Sequence, residues 1–116
     1  MSKVEQINDL TLLDTTYMTN MSYMFGSSGY SPSTSLKSLD LSNFNTARVT
    51  NMKGMFANCT SLVSLDISNF NTQAVQYMEG MFYGTSNLTN YSLPNFDVKS
   101  VTTAEAMFAG SKNKYC

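Results

Sequence analysis

Eleven consecutive residues return almost unchanged further along this chain, and that return limits the fold more than any other feature. Leu36-Lys37-Ser38-Leu39-Asp40-Leu41-Ser42-Asn43-Phe44-Asn45-Thr46 comes back as Leu62-Val63-Ser64-Leu65-Asp66-Ile67-Ser68-Asn69-Phe70-Asn71-Thr72, with a looser copy from Leu88. Leu36 to Leu62 and Leu62 to Leu88 are both steps of 26 residues. The second half of the unit keeps the same register: Val49, Met52, Met55 and Phe56, then Val75, Met78, Met81 and Phe82, then Val101, Ala104, Met107 and Phe108. An earlier copy fits at a step of 31, placing Met18, Met21, Met24 and Phe25 on Val49, Met52, Met55 and Phe56. Its extra residues fall in the turn-rich segment 26–35, which reads as an insertion. The 116 residues are therefore one domain of four units, about 7–35, 36–61, 62–87 and 88–113.

Each unit changes its apolar spacing halfway. Leu39 and Leu41 alternate with Ser38, Asp40 and Ser42, a two-residue period that predicts a short strand. Val49, Met52, Met55 and Phe56 cover an arc of roughly 120° at about 100° per residue, which predicts the apolar stripe of a helix. Thr46 and Thr72 stand where an N-cap belongs. Asn58, Gly84 and Gly110, residue types that accept a left-handed backbone, follow the stripe. A lone strand–helix unit cannot bury its apolar side, so the expected fold is an α/β solenoid. About four such repeats stack, with a short parallel sheet on one face and helices on the other. Leu36, Leu39, Leu41, Phe44, Val49, Met52 and Phe56 then form the core, with the methionines as filler rather than as a soft-metal site.

Composition narrows the chemistry. Histidine is absent, which removes the commonest general base and metal ligand. Net charge is −1 with no basic run, so nucleic acid is not an expected partner. No apolar stretch reaches the roughly 18 residues of a membrane span. Cys59 and Cys116 are too few for a disulfide framework, and their places in the repeat put them too far apart to bridge. The opening Met1-Ser2-Lys3-Val4-Glu5-Gln6 lacks the apolar core of a secretion signal, so the chain is expected either to be cytosolic or to have lost a leader.

The string LxSLDLSNFNTxxVxxMxxMF resembles the 26-residue repeat of BspA-like bacterial surface proteins, a branch of the leucine-rich repeats. The likeness is nearly complete at 36–61 and 62–87, and partial at 88–113, where Tyr91, Pro94 and Val98 depart. It implies a leucine-rich-repeat-like solenoid, display at the cell surface or outside the cell, and a role in adhesion. It implies no cofactor and no catalytic residue.

Two sets of residues are candidates for a binding face. The outward side of the strands carries Ser38, Asp40, Ser42, Ser64, Asp66, Ser68, Asn90 and Ser92, together with Asp9. In stacked repeats that side often meets a ligand, although such a row also serves as a plain solvated face. Tyr17, Tyr23, Tyr77 and Tyr83 lie off the apolar stripe, and Tyr30 lies in the insertion. Tyrosines favour interfaces, yet scattered exposed aromatics also occur without purpose. The recurrent Asn43, Asn69 and Asn95, followed by Asn45, Asn71 and Asp97, are expected to satisfy backbone groups at the turn after the strand rather than to read a sugar or peptide. The carboxylate pairs Asp40 with Asp66 and Glu79 with Glu105 arise from repetition itself, so catalysis is not expected. The leading expectation is a non-enzymatic recognition or adhesion module for a protein or glycan partner. The alternative is a structural protein that self-associates end to end through open solenoid ends.

Overall fold

The computed structural model describes residues 13–28, 35–94, 101 and 107. Alternation around Leu39, Leu65 and Tyr91 gives three short strands: β1 (Ser38–Asp40), β2 (Ser64–Asp66) and β3 (Asn90–Ser92). They form one parallel sheet in the order β1-β2-β3. The register pairs Ser38 with Ser64 and Asn90, Leu39 with Leu65 and Tyr91, and Asp40 with Asp66 and Ser92. Every one of these partners lies 26 residues from the next, so one repeat is one coil of a stack.

The α/β, leucine-rich-repeat-like architecture expected from the sequence is overturned, because the described residues contain no helix. The segments from Val49 and Val75 onward are chains of tight turns. Met55, Ala57 and Cys59 donate their N–H groups back three residues, to the carbonyls of Met52, Gly54 and Phe56 at 3.0–3.2 Å. The amides in between go sideways. Met52, Gly54, Phe56 and Asn58 donate to Tyr77, Glu79, Met81 and Tyr83 of the next coil at 2.6–3.0 Å. Met21, Tyr23, Phe25 and Ser27 donate likewise to Asn51, Lys53, Met55 and Ala57. A helix would use all of these amides within itself; here alternate ones join coil to coil.

The sequence contains the reason. Thr46, Val49, Met52, Met55, Cys59, Leu62 and Leu65 are all buried, with Phe56 added at the one step of four. Three-residue spacing drifts about 60° per step around a helix of 3.6 residues per turn, so a helix could not keep so long a run on one side. Turns closed between residues i and i+3 can. The backbone sign is also wrong for a helix: Tyr23, Gly54 and Gly80, which occupy one repeat position, have φ of 53°, 58° and 63°. Asn58 and Gly84 also have positive φ, 61° and 75°, so they adopt the left-handed conformation with no helix before them.

Burial follows the repeat. Leu36, Leu39, Leu41, Phe44, Val49, Met52 and Phe56 are all in the core, with Met21, Met55, Met78 and Met81. Phe25, Phe56 and Phe82 stack in one column, with centroids 5.9 and 5.5 Å apart. Phe44 and Phe70 stack in a second, 6.4 Å apart. Thr46 and Thr72 are buried and cap no helix. Cys59 is a buried thiol whose sulfur donates to the Phe25 carbonyl at 3.2 Å. Cys116 lies outside the described residues.

Candidate functional site

The strand row is assembled as three parallel rungs, and its side chains are engaged locally. Asp40 and Asp66 face each other in register, both exposed. Each carboxylate closes a turn on its own coil: Asp40 accepts the Ser42 N–H at 3.1 Å, and Asp66 accepts the Ser68 N–H at 3.0 Å and its hydroxyl at 2.7 Å. Those hydrogen bonds, from the serine side chain first and the backbone second, hold both carboxyls below the ordinary aspartate value. At Asp40 the charge of Asp66 opposes the shift. Asp14 is lowered in the same way by Thr16. Ser38 and Ser64 are half-buried, while Ser42, Ser68, Asn90 and Ser92 are exposed. Asp9 lies outside the described residues.

The asparagines act on the backbone. The Asn69 amide nitrogen donates toward the carbonyls of Leu41, Ser42 and Phe44 in the preceding coil at 3.2–3.3 Å. Asn45 and Asn71 accept the N–H groups of Ala47 and Gln73, two residues on. Asn95, Asp97 and Glu105 lie outside the described residues. Among the described residues no three His, Cys, Asp or Glu side chains gather as a metal site would need.

The tyrosines divide. Tyr17 is 72% exposed, and the Arg48 guanidinium of the next coil sits 4.7 Å from its ring centroid, a cation–π contact at the same repeat position. Tyr77 is 40% exposed, and its backbone bridges to Asn51. Tyr30 falls outside the described residues. Among the described tyrosines, Tyr23 and Tyr83 come together, around an open hollow of about 250 Å³. The first coil gives it Tyr23, Ser27 and Ser28; the second gives Gly54, Ala57 and Asn58; the third gives Gly80 and Tyr83. The Asn58 side-chain nitrogen donates to the Ser27 carbonyl at 3.1 Å and ties two coils at its edge.

Sequence reasoning missed the glycines, serines and Asn58 of this hollow. The signal was available in the alignment of repeats. Tyr23 shares its position with Gly54 and Gly80, and Tyr83 shares its position with Ala57. A large side chain thus stands in line with small or absent ones at two positions of the coil, which stacking turns into relief on the surface.

Comparison with known proteins gives one answer. No curated protein and no solved structure matches the chain. The family described as "Mycoplasma protein of unknown function, DUF285" matches residues 1–115. With that match running over nearly the whole repeat stack, this chain belongs to the DUF285 family.

Proposed function

We propose that this protein is a recognition module that presents a rigid repeat surface to a protein or glycan partner and catalyses nothing. The observation that carries the reading is the exposure of large tyrosines on a backbone pinned coil to coil. Tyr17, Tyr77 and Tyr83 expose 72%, 40% and 42% of their surface, while the carbonyls of Tyr77 and Tyr83 accept the Met52 and Asn58 N–H groups of the preceding coil. Tyrosine offers wide amphipathic contact at small entropic cost, and a fixed scaffold reduces the ordering cost further. The likeness of its repeat to that of BspA-like surface proteins supports a cell-surface or extracellular, adhesive setting.

The test sets the wild-type chain beside a Tyr17→Ala, Tyr77→Ala, Tyr83→Ala triple variant on arrays of peptides and glycans, with light scattering of both. The expected result is a monomer that binds at least one ligand class and loses it in the variant. Equal binding by both proteins, or polymers that grow with concentration and bind nothing, would overturn the reading. Polymers of that kind would favour end-to-end assembly instead.

A further inference from the structure

We propose that the hollow beside Gly80 is a seat for one pyranose ring of a neutral glycan, which names a ligand class within the recognition reading and rests on it. Gly54 and Gly80 occupy the same place in successive coils and share a left-handed backbone, with φ of 58° and 63°. Over Gly54 a ring is already present: a Cβ built there would run into the Tyr23 ring, with Cδ1 at 2.6 Å and Cζ at 2.8 Å. Over Gly80 the same construction meets, among the described residues, nothing nearer than the Tyr83 Cβ at 3.8 Å. The coil surface is thus covered by a six-membered ring at one glycine and left open at the next. The molecule's own tyrosine shows that a six-membered ring can occupy the space over such a floor.

Size, charge and polarity then select the occupant. About 250 Å³ falls below the roughly 300–1,000 Å³ of pockets for drug-sized ligands, and suits a single ring. Among the described residues no charged side chain lines the hollow, so an ionic group seated there would lose water without gaining a counter-charge from them. Tyr83, nearly half exposed, supplies an aromatic wall. Ser27, Ser28 and Asn58 bring hydroxyl and amide groups to the rim. A pyranose matches that division, with an apolar C–H face for the tyrosine and a rim of hydroxyls for the serines and amide. An aromatic side chain of a peptide would match the wall but offer at most a single polar group to the rim, where a pyranose offers several. The floor is fixed in advance: Gly54 N–H is bonded to Glu79 at 3.0 Å, and Asn58 N–H to Tyr83 at 2.6 Å. Little ordering remains for a weak ligand to bring about.

The test uses the whole chain, with neutral hexose- and N-acetylhexosamine-terminated oligosaccharides as probes. Saturation-transfer NMR on the wild type comes first, followed by titration of Gly80→Asn, Tyr83→Ala and Tyr17→Ala. Asparagine tolerates the left-handed backbone and fills the space over the floor; Tyr83→Ala removes the wall. The two act by different routes, so failure of one to fold leaves the other. The expected result is transfer to a sugar ring, a loss of at least tenfold in affinity for both hollow variants, and no change for Tyr17→Ala. No glycan transfer, or binding indifferent to both hollow variants, would overturn the proposal. If peptides bind and respond to Tyr17→Ala while glycans do not bind, the sugar seat falls and the recognition reading stands. If aromatic peptides replace glycans in the hollow, the ligand class named here is wrong.

Discussion

The Thr46 hydroxyl serves both backbone groups of Asn71 in the next coil, donating to its carbonyl at 2.9 Å and accepting from its N–H at 2.7 Å. Thr15 does the same for Asn45, at 3.2 and 2.7 Å. Both threonines are buried, and no water is needed where the chain turns away from the sheet. Thr46→Val keeps the shape and leaves both Asn71 groups without a partner. A fully buried unsatisfied group costs roughly 1–3 kcal/mol; Asn71 is itself exposed and water can reach part of its backbone, so the expected loss for the pair is roughly 1–3 kcal/mol. Thr46→Ser, which keeps the hydroxyl, should lose less. Urea denaturation of the two variants checks the order; equal losses would show that the hydroxyl bridge contributes nothing.

Phe70 is buried against Phe44 in one aromatic column. Phe70→Ala opens a cavity between coils that are held at fixed spacing by their hydrogen bonds, so the expected cost is about 3–5 kcal/mol. Tyr77 projects outward, and Tyr77→Ala should stay within about 0.5 kcal/mol of the parent. Thermal melts separate the two; similar melting temperatures would contradict the burial described.

Gly54→Ala forces a methyl group into the Tyr23 ring as well as straining a left-handed backbone. The strain alone is worth about 1–2 kcal/mol, and Gly80→Ala carries that strain without the clash. Gly54→Ala should therefore be the more harmful. Combining it with Tyr23→Ala should recover part of the loss, with a coupling on the order of 0.5–3 kcal/mol in a double-mutant cycle. Strict additivity would remove the ring from its place over Gly54.

Asp14, Asp40 and Asp66 have carboxyls lowered by hydroxyl and backbone hydrogen bonds. A lowered folded-state value stabilises the fold above the unfolded value of about 3.9, and that stabilisation is lost as pH falls through it toward the folded values. The urea midpoint should hold steady from pH 7 to about 5 and decline below about pH 4. Asp40→Asn with Asp66→Asn keeps the turn acceptors without the titration, so its decline should be shallower. A parallel decline would assign the acid sensitivity elsewhere.

The length of the coil and the identity of its core could be read directly, because Leu36, Leu62 and Leu88 mark the step and every described copy of the Met and Phe pattern packs inward or against the core. The conformation of the second half could not be read from Val49, Met52, Met55 and Phe56 alone. Four residues fit a helix and a chain of three-residue turns equally well, and only the longer run through Cys59 and Leu62 to Leu65 tells them apart. Gly54 and Gly80 inside the supposed helix were the second warning, since glycine there costs about 1 kcal/mol against alanine. The hollow was hidden for another reason. Tyr23 and Tyr83 are 60 positions apart, and only the stacking of three coils brings them to one place.

The sideways amides also set how this protein bears load. Bonds from Met52, Gly54, Phe56 and Asn58 to the next coil run from layer to layer, along the direction of tension applied to the stack, so a terminal layer peels away bond by bond rather than shearing off all at once. A coil that detaches hands its whole 26-residue length to the stretched chain, roughly 86–94 Å at about 3.3–3.6 Å per residue. Pulled by its ends, the protein should lengthen in a step of that size for each 26-residue coil, absorbing work at each one. For a molecule anchored at one end and bound at the other, every coil is a length of reserve line that pays out before the tether breaks.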